Sequence, residues 1–272
     1  MANLGRIAFI GAGKMATAIA GGLVKQGKDK HTIKAYDISE AAREHFKKAT
    51  GVEAVSSPEE ALADSDIVVL AVKPQHVAAA LEKSKALLKE KLFVSIAAGV
   101  RIKTLTSLTG CQRVVRVMPN TPALVGEGMS CLAGAPGIAE ADLKIAEQIF
   151  SAVGQSCLVQ ESQLDAVTGL SGSGPAYVLD FILGLADGGV YAGLPRDVAL
   201  KLAIQTVLGS AKMALLSKSH PAELRDAVIS PAGTTARGVM VLEKGAFKAL
   251  AASAVVAAAD RSAELAKLAE GK

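Results

Sequence analysis

Apolar residues follow two rhythms along this chain, and the rhythm changes once. In the first half, short apolar runs alternate with stretches in which apolar residues recur every three or four positions. Residues 6–11 (RIAFIG), 32–37 (TIKAYD), 66–72 (DIVVLAV), 92–98 (LFVSIAA) and 113–118 (RVVRVM) read as strands. Helical spacing fills 14–26, 40–49 and 77–88 between them. Runs that stay apolar at every position suit strands buried on both faces, and helices between them imply a parallel sheet covered on both sides. Right-handed crossovers then bring the strand C-termini to one edge. After Pro119 the pattern weakens, with short strands expected at 129–133 and 156–159 around a helix near 140–153. From Glu161 onward only helical spacing remains, in the Ala- and Leu-rich segments 176–191, 195–217, 221–228, 235–242 and 246–269. The expected division is an α/β domain of residues 1–160 followed by an all-helical domain of 161–272.

Composition narrows the chemistry. The 272 residues suit two domains at about 150 residues each. Aromatics are only 3% of the chain, so the core must be built from Ala, Val, Leu and Ile, whose small side chains let helices approach closely. The net charge of +4 is spread thinly, without a run of basic residues, which argues against a nucleic-acid partner. Cys111, Cys131 and Cys157 lie far apart with no CxxC and read as reduced thiols. His31, His45, His76 and His220 have no metal-ligand spacing, so no metal is expected. The opening MANLGRIAFIG lacks a leader pattern, and the longest apolar stretch, 249–259, is short of the roughly 20 residues a membrane span needs. A cytoplasmic protein without a membrane partner is the expectation.

The first turn carries the clearest chemistry. Gly11, Ala12, Gly13, Lys14, Met15 and Ala16 fit G-x-G-x-x-A between a strand and a helix, the setting of a dinucleotide site. Gly11 permits the tight turn, Gly13 lets backbone approach a pyrophosphate, and Ala16 lets the helix pack on the sheet. Free N–H groups at the helix start then face the phosphates. Asp37 ends the next strand. It reads either as the acid that accepts from a ribose 2′-OH, favouring NADH, or as a helix N-cap. Arg43 could reach a phosphate, so NADH and NADPH both stay open. Ala71, Val72, Lys73 and Pro74 end one strand, and Ala97, Ala98 and Gly99 end another. Both loops fall on the edge where open α/β sheets bind ligands and are expected to line the cofactor. Lys73 also fits an ordinary surface lysine. Asn120, in the loop MPNTP, reads as a contact to nicotinamide or substrate, or as part of a rigid turn.

Two loops in the helical half, GLSGSGPAY (169–177) and SPAGTT (230–235), set small residues before helices and resemble anion nests. Asp187, Arg196 and Asp226 read as caps or salt bridges. The Ala-rich last helix suggests burial against another subunit.

Taken with GAGKMA, AVKPQ, SIAAGV, MPNTP, DGGVYAGLPR and GSAKM, these segments resemble the pyrroline-5-carboxylate reductases over essentially the whole chain. The resemblance implies a Rossmann-type doubly wound parallel sheet followed by an all-helical dimerisation domain, a homodimer that in many members assembles into a decamer, and reduction of pyrroline-5-carboxylate by NADPH or NADH. It also implies that Gly233 and Thr234 hold the substrate carboxylate through backbone N–H groups. Thr235, the catalytic residue, hydrogen-bonds the ring nitrogen through its hydroxyl, and Ser173, Gly174 and Pro175 form another wall of the substrate site. Where the family usually reads SPGGTT or SPGGAT, Ala232 replaces the first glycine, which strains the loop if φ is positive there. A β-hydroxyacid dehydrogenase, which has a similar two-domain plan, would carry a lysine one turn after Gly174; Val178 stands there instead.

Overall fold

The apolar runs form the interior of a single sheet in the computed structural model, which describes residues 4–82 and 84–270. In chain order, β1 (Ile7–Ile10) leads to α1 (Lys14–Lys25), β2 (Ile33–Tyr36) to α2 (Glu40–Thr50), and β3 (Glu53–Val55) to α3 (Pro58–Leu62). There follow β4 (Ile67–Leu70), α4 (Val77–Glu82), β5 (Leu92–Ser95), α5 (Ile102–Thr109) and β6 (Val114–Met118). Then come β7 (Gly128–Gly134), α6 (Glu140–Ser151) and β8 (Gly154–Leu158). The strand order is β3-β2-β1-β4-β5-β6-β7-β8, parallel throughout except for β6 against β7. The order reverses at β1, so the topological switch point lies between β1 and β4.

All residues of β1, β4 and β5 are buried. Alternation sends Phe9, Val69 and Val94 to one face, packed with Ile19, Leu23, Phe46 and Phe150 of the helices. Ile10, Val68, Leu70 and Phe93 go to the other, with Leu62 and Leu105. Each such side chain contributes about 1.5–3 kcal/mol on burial. The elements β3, α3 and α5, and a one-turn helix at Leu164–Val167, were not anticipated, being too short for a clear period. The helix expected over 77–88 ends at Glu82, and Lys85–Leu87 forms a 3₁₀ turn.

Beyond β8, α7 (Leu164–Val167) runs into a π-helical turn, Thr168–Gly172. Then come α8 (Gly174–Tyr191), α9 (Arg196–Leu216), α10 (Pro221–Ala227), α11 (Thr234–Lys244) and α12 (Phe247–Glu270). Contacts gather Gly174–Val255 into one compact unit, and the remaining chain, which includes the end of α12, into the other.

Within Gly174–Val255, α8 and α9 form a hairpin around Ala186, Ala199 and Ala203. A Cβ on Gly189 would lie 3.0 Å from that of Ala199, so the glycine permits the close approach. The rings of Phe181 and Phe247 pack at 5.4 Å, and the Tyr177 hydroxyl donates to the Ala254 carbonyl. The α9 helix is long and apolar enough to cross a membrane by length and composition alone. The helix itself was expected over 195–217; its membrane-scale hydropathy was not, because Lys201, Gln205 and Lys212 interrupt the apolar run.

Candidate active site

The turn after β1 is fixed by its own backbone. Gly11 has φ +103°, and its N–H donates to the Tyr36 carbonyl at 2.7 Å. A Cβ there would stand 2.7 Å from the Ala71 carbonyl oxygen, so only glycine lets the β1 and β4 ends meet. Gly13 caps α1 without any side-chain bond, and the space its Cβ would fill is open. The first helical bond is Thr17 N–H to Gly13 O, which leaves the N–H groups of Lys14, Met15 and Ala16 without helical partners. Gly13 and Lys14 are exposed, Met15 is half-buried, and Ala16 is fully buried against the sheet. An open backbone cradle at the positive end of a helix fits a pyrophosphate.

Asp37 joins this cradle. Its carboxylate accepts from Ala12 N–H at 2.8 Å and from Ser39 N–H at 2.9 Å. The N-cap of α2 is Ser39, whose hydroxyl accepts from Ala42 N–H, so Asp37 does not cap that helix. Each carboxylate oxygen retains accepting capacity at the end of β2, where a ribose diol would sit. The Arg43 guanidinium rests on the Asp37 and Ile38 carbonyls at 2.8 and 3.2 Å, in the same corner.

The other predicted loops follow strands on this edge. Ala71 N–H donates to Ile10 O at 2.8 Å, and Ala71 and Val72 are half-buried. Lys73 and Pro74 are exposed and open a 3₁₀ turn. After β5, Ala97 is buried, Ala98 exposed, and Gly99 left-handed at φ +74°. Asn120 is committed internally. Its Oδ1 accepts from Met129 N–H at 2.8 Å, and its Nδ2 donates to Ser171 O at 3.1 Å. The amide ties the loop after β6 both to β7 and to the π turn.

That turn corrects the expectation of a nest before α8. Ser173 N–H donates to Thr168 O at 2.8 Å, an i→i−5 bond, and α8 starts at the next residue, Gly174. The glycines and serines make a π bulge in a nearly continuous helical path, and Ser173, Gly174 and Pro175 are half-buried. Such bulges are frequent at functional sites.

The second loop does open a helix. Gly233 caps α11 with no side-chain bond. Its N–H donates to Ser230 O at 3.0 Å, so the N–H expected to hold a carboxylate is already engaged. A Cβ on Gly233 would also lie 2.2 Å from the Ser230 hydroxyl. Thr234 and Thr235, the first two residues of α11, carry N–H groups with no helical partner. Thr234 is exposed and Thr235 half-buried. Ala232 has φ +58°, a left-handed conformation that costs alanine about 1 kcal/mol.

One supporting cluster was missed. Arg116 of β6 is 4% exposed and pairs with Glu161, whose Oε1 also accepts from Ile102 N–H at 2.7 Å. Arg101 pairs with Asp165, which accepts from the Ser262 hydroxyl. Burial lowers the Arg116 pKa, and Glu161 opposes the shift. These bonds fix the segment entering the π turn. An arginine inside an apolar strand was the available signal, because a buried charge requires a partner. Arg196 pairs with Asp187 across the α8–α9 hairpin, and Arg225 with Asp226. A cavity of about 540 Å³ opens at the strand N-termini, but its Lys91 and Arg113 bond to Ser65 O and Asp142. Among the described residues, no three His, Cys, Asp or Glu side chains gather as a metal group.

Known proteins match both halves. The family described as pyrroline-5-carboxylate reductase dimerisation matches residues 161–265, and the coenzyme F420-dependent NADP oxidoreductases match 6–99. The pyrroline-5-carboxylate reductase of Arabidopsis thaliana is 48% identical over 262 residues, 96% of this chain and 95% of that protein. The solved pyrroline-5-carboxylate reductase of Coxiella burnetii is 36% identical with a TM-score of 0.92, covering 97% of this chain and 99% of that one. The Plasmodium falciparum pyrroline carboxylate reductase, solved with NADP bound, is 36% identical with a TM-score of 0.85, covering 96% and 98%. With the nucleotide cradle, the helical unit and near-complete coverage all in agreement, the chain belongs to the pyrroline-5-carboxylate reductase family.

Proposed function

We propose that Thr235 and the start of α11 carry the reaction of this family in this chain, the reduction of L-1-pyrroline-5-carboxylate to L-proline, the last step of proline biosynthesis. The observation that carries the assignment is the open start of α11, where two threonines with unpartnered N–H groups follow a glycine cap. The chain uses NADPH or NADH, and the bound nicotinamide supplies a hydride.

The residues that would hold the dinucleotide are Gly11, Ala12, Gly13, Lys14, Met15 and Ala16 at the phosphates and Asp37 at the ribose. Ala71, Val72, Lys73, Pro74, Ala97, Ala98 and Gly99 line the neighbouring strand ends. Asn120 acts by position, holding the loop after β6 in place. Asp37 suits a ribose 2′-OH and the Arg43 guanidinium in the same corner suits a 2′-phosphate, so the corner fits either dinucleotide.

The substrate is a small cyclic imine with a carboxylate. The N–H groups of Thr234 and Thr235 hold the carboxylate at the positive end of α11. Gly233 contributes a bare Cα, since its own N–H is turned to Ser230. The Thr235 hydroxyl bonds the ring nitrogen. Ser173, Gly174 and Pro175 line the same substrate. A protonated imine accepts hydride without a strong enzymic acid, so orientation can supply a large share of the rate, up to about 7–11 kcal/mol.

The nucleotide-binding domain is residues 1–160, and the helical domain of 161–272 dimerises. A decamer of five such dimers fits the exposed apolar helices, and α9 faces other protein rather than lipid. A cytoplasmic location goes with three unpaired cysteines. The direct test adds pyrroline-5-carboxylate to the protein with each reduced dinucleotide and follows the loss of near-ultraviolet nicotinamide absorbance. Turnover with proline as product is expected with NADPH or NADH. Absence of turnover with both dinucleotides rejects the reading.

A further inference from the structure

Two of the three cysteines, distant in sequence, meet in the sheet. Cys131 on β7 and Cys157 on β8 are register partners in a parallel pair, so their side chains share one face. Their sulfurs lie 3.3 Å apart, and both residues are free thiols. Paired strands run about 4.8 Å apart, within the Cα separations that disulfides span. Bond formation requires the sulfurs to close to about 2.05 Å, a small movement for an outer strand. Strand β8 is the end of the sheet and, among the described residues, pairs with β7 alone.

The two thiols are unequal. Cys131 is 5% exposed, while Cys157, on the outer strand β8, is half-buried. Burial, and then the neighbouring Cys157 sulfur, push the Cys131 thiol up to about 12. Cys111 is separate: it is fully buried, with its sulfur against the Leu88 and Lys91 carbonyls at 3.0 and 3.1 Å.

We propose that Cys131 and Cys157 form a reversible disulfide couple, closed by a small disulfide of the oxidised-glutathione class and reopened by a thiol reductant. The Cys157 thiolate attacks one sulfur of the oxidant. The oxidant's S–S bond breaks, and one half leaves as a thiolate that takes up a proton. The Cys131 sulfur, having lost its proton, then attacks the Cys157 sulfur and expels the second half as a thiol. Two protein thiols are oxidised and one external disulfide is reduced to two thiols. The couple is linked to the π turn through one side chain. Met118 is the register partner of Cys131 on β6, and its Cε fills the position that a Cβ on Gly172 would approach at 2.6 Å.

The full chain is incubated with oxidised glutathione and its mass and peptides are compared before and after dithiothreitol. The expected product has lost two hydrogens, links Cys131 to Cys157, keeps Cys111 free and returns fully to the thiol form. In Cys131→Ser, a glutathione adduct is expected to persist on Cys157. Phenylarsine oxide, which bridges paired thiols, is expected to block closure in the unsubstituted chain, a readout that needs no variant. An unchanged mass, a stable glutathione adduct on the unsubstituted chain, linkage through Cys111 or closure despite the arsenical overturns the proposal.

Discussion

In the sheet-bearing unit, Phe9, Phe46, Phe93 and Phe150 are fully buried. In Gly174–Val255, the buried hydrophobic residues are three alanines, Ala186, Ala199 and Ala203, while Leu183, Leu202, Leu208 and Leu215 are more than half exposed. The first unit completes its core with its own chain. The second presents apolar area far beyond the isolated surface leucines of a monomer, which marks an interaction face. Its match to a family described as pyrroline-5-carboxylate reductase dimerisation supports self-association through this unit. The contrast extends to chemistry, since the nucleotide cradle is held by bonds across the sheet edge, whereas Thr234 and Thr235 sit at the start of an exposed helix.

Four substitutions test this contrast. The largest effect is expected from Gly11→Val, which drives a side chain into the Ala71 carbonyl at a left-handed position. Nucleotide binding, followed by fluorescence quenching, should be lost while the oligomer persists; intact binding would show that the cradle is less rigid than its geometry. Leu208→Glu in α9 places a charge on the exposed apolar face and is expected to weaken self-association by about 3 kcal/mol, over a hundredfold. Light scattering should then report a monomer, and an unchanged mass would remove this face from the interface. Thr235→Ala comes third. Turnover is expected to fall about 10- to 100-fold, as for a lost hydrogen bond of 1–3 kcal/mol. Dinucleotide affinity should hold, and unchanged steady-state kinetics would refute the assigned role. The smallest is Ala232→Gly, which relieves a left-handed alanine and should stabilise by about 0.5–1 kcal/mol, raising Tm. A lower Tm would mean that unfolded-state entropy outweighs the strain.

Much of the sheet was legible because its strands are apolar at every position and its helices amphipathic. The glycine turn after β1 was legible because φ and close contact both demand glycine at residue 11. The unread parts depend on distant partners. Asp37 read either as a ribose acceptor or as a helix N-cap, and only the structure, with Ser39 capping α2 and Asp37 bonded to Ala12 across the turn, excludes the cap. GLSGSG read as a nest of small residues before a helix, but a π turn absorbs it with a hydrogen bond from Ser173. Nothing local in SPAGTT signals that the Gly233 N–H turns back to Ser230. The Cys131–Cys157 pair depends on strand register, which spacing along the chain cannot supply.

The amide of Asn120 has a direction: oxygen toward Met129 N–H, nitrogen toward the Ser171 carbonyl. Hydrolysis to the acid, the common chemical ageing of asparagine, would exchange that nitrogen for oxygen. The Met129 contact would survive, while two oxygens would then confront each other at Ser171. A lesion of so few atoms would unfasten the bulge while leaving the sheet whole, so protein in long storage should lose function before it loses fold.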